Sequence, residues 1–196
     1  CQSSVSTGVV VSAAPSVSIS ETDNSGIADD NAVCAGGNAS LTASGATTYT
    51  WAPSGTLSAS TGSSVTASPT ATTTYTVTGT TSGCSASATK TITFNSLPTV
   101  NTTTTDNSGT ANDGAVCTGG SATINATGGT SYTWAPATGL NQTTGASVTA
   151  TPAITTTYTV TGTGTGGCTN TATRTITVNS FPTVGITETD NSGTAN

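Results

Sequence analysis

The sequence predicts an all-β protein made of tandem β-sandwich repeats of about 83 residues set end to end, and three observations carry that expectation. Charged residues are 5 % and aromatics 4 % of the 196-residue chain, with no His and no Met, while Thr, Ser, Gly, Ala and Val dominate. Branching at Cβ suits Thr and Val to a pleated backbone, so Thr occupies solvent faces where charges would ordinarily stand. Apolar residues alternate with polar ones over short runs, the period of a half-buried strand. The chain also repeats itself: Trp51 and Trp134 are 83 apart, as are Cys34 and Cys117, while Cys84 and Cys168 are 84 apart. Low complexity of this kind is compatible with disorder, but Trp, Tyr and Cys at fixed positions argue for a packed core.

The repeat register sets the expected domains. Pro15, Pro98 and Pro182 mark the openings of successive copies, and Cys1 precedes Pro15 by 14 residues, as Cys84 precedes Pro98 and Cys168 precedes Pro182. Residues 1–13 therefore read as the last strand of a preceding repeat, 14–96 as repeat one, 97–180 as repeat two and 181–196 as the start of a third. Units of this length suit independent small domains better than solenoid turns.

Within one repeat the elements follow in order. Ser16–Thr22 alternates Val17 and Ile19 inward as a first strand, and an acidic loop follows. Gly36-Gly37 turns the chain into a strand from Asn38 to Ser44 that carries Ala39, Leu41 and Ala43 on one face. Tyr49 and Trp51 share a face of a strand that stops at Pro53, since proline cannot feed a ladder. Val65 and Ala67 mark the next strand, and Tyr75, Val77 and Gly79 the one after. The last runs from Ser85 to Phe94. Six or seven short strands around a central Trp describe an immunoglobulin-like sandwich, with Tyr75 in the position of its tyrosine corner. Trp51 and Trp134 then read as core residues rather than sugar-stacking platforms. Lys90 and Arg174 fall on the apolar face by alternation, so a bulge or a snorkelling stem is expected there.

A net charge of −6 with two basic residues excludes a nucleic-acid surface and an anionic membrane surface. No apolar run approaches the ~20 residues of a membrane helix, so no membrane insertion is expected of this segment. Catalysis is not expected either: there is no His, and no acid–base pair is placed in a domain body.

All eight carboxylates fall in one recurring stretch at the handover between repeats. In the first copy Glu21, Asp23, Ser25, Gly26 and Asp29 follow the one-three-five-six-nine spacing of calcium loops, with the carbonyl of Ile27 as a further ligand and Asp30 adjacent. In the second copy Asp106, Ser108, Thr110, Asn112 and Asp113 are the candidates, and in the third Glu188, Asp190 and Ser192. Ala32 stands where an EF-hand has its twelfth-position Glu. Crowded carboxylates repel, and a hard cation relieves that repulsion, so calcium is the expected cofactor; the competing reading is a linker of Asx-turns. The cysteines are expected to pair within each repeat, Cys34 with Cys84 and Cys117 with Cys168, each bond closing about fifty residues and contributing ~4 kcal/mol in the chain-entropy model. Such bonds belong outside the reducing cytosol.

Val33-Cys34-Ala35-Gly36-Gly37, Tyr49-Thr50-Trp51-Ala52-Pro53, Thr73-Thr74-Tyr75-Thr76-Val77-Thr78-Gly79, Gly83-Cys84 and the Asp-Asn-Ser-Gly junction recur across the chain with small changes. Together they resemble PKD-like and immunoglobulin-like repeats of giant secreted surface proteins of Bacteroidota, including gliding-motility adhesins. The resemblance implies a structural stalk or filament of an extracellular adhesin on the cell surface. Its expected partners are the neighbouring repeats, identical chains in a fibre and surface polysaccharide. The same resemblance admits a carbohydrate-binding or spacer module of a secreted hydrolase.

Overall fold

A computed structural model of the chain describes residues 12–23, 25–106 and 112–187. The first repeat supplies seven strands: β1 (Ser18–Asp23), β2 (Ala32–Cys34), β3 (Ala39–Ser44), β4 (Thr48–Ala52), β5 (Ser64–Ala67), β6 (Thr73–Thr81) and β7 (Cys84–Asn95). The second supplies their counterparts: β8 (Asn101–Asp106), β9 (Ala115–Cys117), β10 (Ala122–Thr127), β11 (Ser131–Ala135), β12 (Ser147–Ala150), β13 (Thr156–Thr163) and β14 (Thr169–Asn179). A 3-10 turn at Thr165–Gly167 precedes β14. The architecture is all-β and immunoglobulin-like.

In the first repeat one sheet runs β1-β3-β5 and the other β2-β7-β6-β4. The repeat thus starts in one sheet and crosses to the other between β1 and β2. β1 lies antiparallel to β3, with Asp23 opposite Ala39, whereas β2 lies parallel to β7, with Cys34 opposite Asn95. The second repeat repeats the plan with sheets β8-β10-β12 and β9-β14-β13-β11, and Cys117 lies opposite Asn179. The chain divides into two compact units. One gathers residues up to Thr99 with Gly128–Thr130 and Gly162–Asn170; the other gathers Val100–Thr127, Ser131–Thr161 and Thr171 onward.

Alternation produces the core. Leu41, Val65, Tyr75, Val77 and Ile92 are at most 3 % exposed and meet Trp51 between the sheets. Trp134, Tyr158, Val160 and Ile176 do the same in the second repeat. Both indoles are core residues: Trp51 Nε1 donates to the Gly62 carbonyl at 2.9 Å, and Trp134 Nε1 to Gly145 at 2.9 Å. The Tyr75 hydroxyl bonds Thr56 Oγ1 at 2.6 Å and the Tyr158 hydroxyl donates to the Thr138 carbonyl at 2.9 Å, each tying the sixth strand of its repeat to the loop after the fourth.

Of the two outcomes expected for Lys90, a bulge does not turn it outward, because β6 and β7 pair without interruption and Tyr75 lies opposite Lys90; it stays half-buried on the inner face, as does Arg174. The first strand also starts two residues later and runs one residue further than expected, to Asp23. Glu21 and Asp23 alternate with Ile19 on the inner face of β1, and Asp106 ends β8 at 2 % exposure.

Candidate coupling site around Cys34

The segment from Ser25 to Asn31 carries the chain from one sheet to the other within the first unit. It is built from short side chains that hydrogen-bond nearby backbone. Asp23 Oδ1 accepts from the Ser25 N–H at 3.2 Å, and Asp30 Oδ1 from the Ala32 N–H at 2.9 Å. These are Asx-turn contacts, which let a polar segment satisfy its own donors. Ser25 Oγ accepts the Cys34 N–H at 3.0 Å, and Asn31 O accepts the Thr93 N–H at 2.8 Å, so the crossover is fixed to both β2 and β7.

Against this segment, in the same unit, lies the turn that precedes Thr169. Gly166 and Gly167 both have left-handed backbone, φ 63° and 72°. The Ile27 N–H donates to the Gly166 carbonyl at 3.1 Å, and Asn170 Nδ2 donates to the Pro98 carbonyl at 3.1 Å. Gly26 is glycine for two reasons: its φ is 75°, and a Cβ there would collide with the Gly166 carbonyl oxygen. The turn delivers Cys168, 1 % exposed, onto Cys34, and the two form a disulfide with Cα atoms 5.5 Å apart.

This bond replaces the expected pairs Cys34–Cys84 and Cys117–Cys168, and the strand register gives the reason. Cys34 lies beside Asn95 at the end of β7, while Cys84 opens that same strand eleven residues earlier. At ~3.3 Å per residue they stand roughly 36 Å apart along the sheet, far beyond the reach of a disulfide. In the second repeat Cys117 lies beside Asn179, again eleven residues along from Cys168. The cysteine that closes the second strand of a repeat cannot meet the one that opens its last strand. It meets that of the next repeat, across a sequence separation of 134.

Asp23, Ser25, Asp30, Asp106 and Asp113 each accept a backbone N–H, with Gly114 donating to Asp106 Oδ2 at 3.1 Å and Ala115 to Asp113 Oδ1 at 2.7 Å. The Ile27 amide serves the coupling turn, and Asp29 and Asn112 hold left-handed backbone with φ 58° and 66°. Among the described residues no group of three or more His, Cys, Asp or Glu side chains is gathered to hold a metal. Ser108, Thr110, Glu188, Asp190 and Ser192 lie outside the described residues. Buried oxygens nevertheless stay uncommitted: Glu21 Oε1, Asp23 Oδ2 and Asp106 Oδ1 have no hydrogen-bond partner among the described residues. Burial pushes the Glu21 carboxyl above the ordinary carboxylate range, the charge of Asp23 and a hydrogen bond to it push the same way, and Lys90 pulls it back.

Sequence reasoning missed the receiving backbone of Gly26 and Ile27 and the paired left-handed residues before Cys168. The glycines ahead of the cysteine were the available signal.

No protein-family model matches the chain, and no curated protein matches it. Among solved structures it is similar to a C-terminal 282-residue fragment of intimin in complex with the translocated intimin receptor's intimin-binding domain, at 18 % identity and a TM-score of 0.51. The match covers 82 % of this chain and 63 % of that one, so the chain spans less than two thirds of the fragment. It also matches titin domains I67–I69 at 12 % identity over 86 % of this chain and 67 % of that one (TM-score 0.38), and sidekick-1 immunoglobulin domains at 10 % over 84 % and 39 % (TM-score 0.34). At such identities the likeness concerns fold: the chain is an immunoglobulin-like β-sandwich protein.

Proposed function

We propose that this chain is a load-bearing stretch of an extracellular bacterial surface stalk or filament, of the PKD-like adhesin kind that its motifs resemble, gliding-motility adhesins included. The observation that carries the reading is the Cys34–Cys168 bond, which fastens one repeat to a segment of the next and belongs to an oxidising compartment. The polar Thr- and Ser-rich faces, the cores closed over both Trp residues and the intimin-like fold support a structural role over a catalytic one. Antibody raised to the chain should decorate filaments on intact cells of the source organism. Label found only on a secreted hydrolase would favour the alternative, a spacer module, and sink the stalk. Sugar stacking on Trp51 or Trp134 is the weaker form of that alternative, since both indoles are buried.

Calcium is part of the proposal. The uncommitted buried oxygens of Glu21, Asp23 and Asp106 are what a hard cation takes, and the spacing of the acidic stretch supports it. The melting temperature should rise with calcium concentration, and Asp106→Ala should lower that response without unfolding either sandwich. Identical melting curves in millimolar calcium and in excess chelator would rule calcium out.

A further inference from the structure

The second copy of the repeat is seen with its coupling made, and the first copy carries the same device. Ser82 and Gly83 hold left-handed backbone at φ 49° and 80°, as Gly166 and Gly167 do at 63° and 72°. Each pair is followed by a cysteine at the start of the last strand. What differs is the receiver. A Cβ on Gly167 would press on Gly26 and Ile27, whereas one on Gly83 would meet nothing within 4 Å among the described residues. Cys168 is buried and bonded; Cys84 is a half-buried thiol whose Sγ lies 3.4 Å from the Ser12 carbonyl. The cysteine of its own repeat, Cys34, lies at the far end of the strand pair and is already bonded.

We propose that Cys84 and its turn form a docking knob for another copy of this repeat. That copy would receive it on the segment equivalent to Ser25–Ile27 and bond it through the cysteine that closes its second strand. Cys168 shows the knob engaged, and its receiver belongs to the preceding copy, 134 residues earlier. By the same stagger the receiver for Cys84 belongs to the copy that precedes residues 14–96. Each copy is then tied to the next by one bond, and none is closed inside its own sandwich. The bond forms by thiol–disulfide exchange: the Cys84 thiol and the receiving thiol together give up two protons and two electrons to a disulfide oxidant, whose S–S bond breaks and which leaves as two thiols.

The test extends the chain with a copy of residues 14–83 ahead of Cys1, which by the repeat register completes a further sandwich, and oxidises it with glutathione disulfide. The nonreduced peptide map should join the added copy of Cys34 to Cys84 and leave Cys34–Cys168 in place. Cys84→Ser should leave the added cysteine open to alkylation while Cys34–Cys168 persists. An added cysteine joined to Cys1, or a Cys84 fully alkylated without reductant, overturns the proposal. Should the extended chain fail to fold, the same map on the protein isolated from its source decides: Cys84 joined to a cysteine of another copy supports the knob, and an alkylatable Cys84 refutes it.

Discussion

Gly26 shows how much one missing side chain does here. Its φ of 75° and the Gly166 carbonyl against its Cα leave no room for Cβ. Gly26→Ala should therefore cost roughly 1–2 kcal/mol and lower the fraction of chains in which Cys34–Cys168 closes, counted by alkylation and mass. Gly36 has φ 85° but a Cβ there would meet nothing within 4 Å among the described residues, so Gly36→Ala should leave closure unchanged. Glu21 gives a second residue-scale expectation. Its folded pKa is raised, first by burial, so between the unfolded value of 4.5 and the raised value the folded state binds more protons than the unfolded. Stability then falls as pH rises through that window and stays lower above it. Glu21→Gln removes the penalty. Without calcium it should melt higher than the parent at pH 7 and equal to it near pH 4. If calcium binds there, the order at pH 7 should reverse in its presence. A parent and variant that track each other at every pH would show that Glu21 is not held in this way.

At the scale of elements the cysteine connectivity follows from β2 lying parallel to the end of β7. Lys90 and Arg174 are the only tryptic sites in the chain, giving fragments 1–90, 91–174 and 175–196. After denaturation and alkylation without reductant, the first two should remain joined through Cys34–Cys168; pairing within repeats would release them separately. Strand existence was legible in the sequence wherever one face is buried and the other wet: Leu41, Trp51, Val77 and Ile92 announce their strands by period two. β2 was not legible, because its three residues are all buried and a run so short has no alternation to read. The bridge was misread for a related reason. A repeat spacing shows which cysteines are equivalent, but whether equivalents join within a copy or between copies depends on where β2 sits along β7, a register set by tertiary contact. The acidic stretch was half legible. Its polar turn character was plain, while the commitment of Asp23, Asp30 and Ser25 to their own backbone depends on the crossover between sheets.

For the whole molecule, the bond changes what unfolding can mean. A crosslink spanning 134 residues contributes about 5 kcal/mol in the chain-entropy model, so reduction should lower the melting temperature of the entire chain rather than of one repeat. A consequence appears when the two ends are pulled apart. Tension entering at the amino terminus reaches Cys34, passes through two sulfurs to Cys168 and leaves along Thr169–Asn179, so the strands β3 to β13 lie outside the stretched path. At about 3.5 Å per residue, reduction should lengthen the fully drawn tether by roughly 470 Å, whereas pairs closed within each repeat would hide only about 350 Å. Single-molecule stretching with handles at both termini, with and without reductant, distinguishes the two, and an oxidised chain that draws out to full length would refute the path. While the bond is closed, most of the chain is spared extension whatever the stability of its sheets.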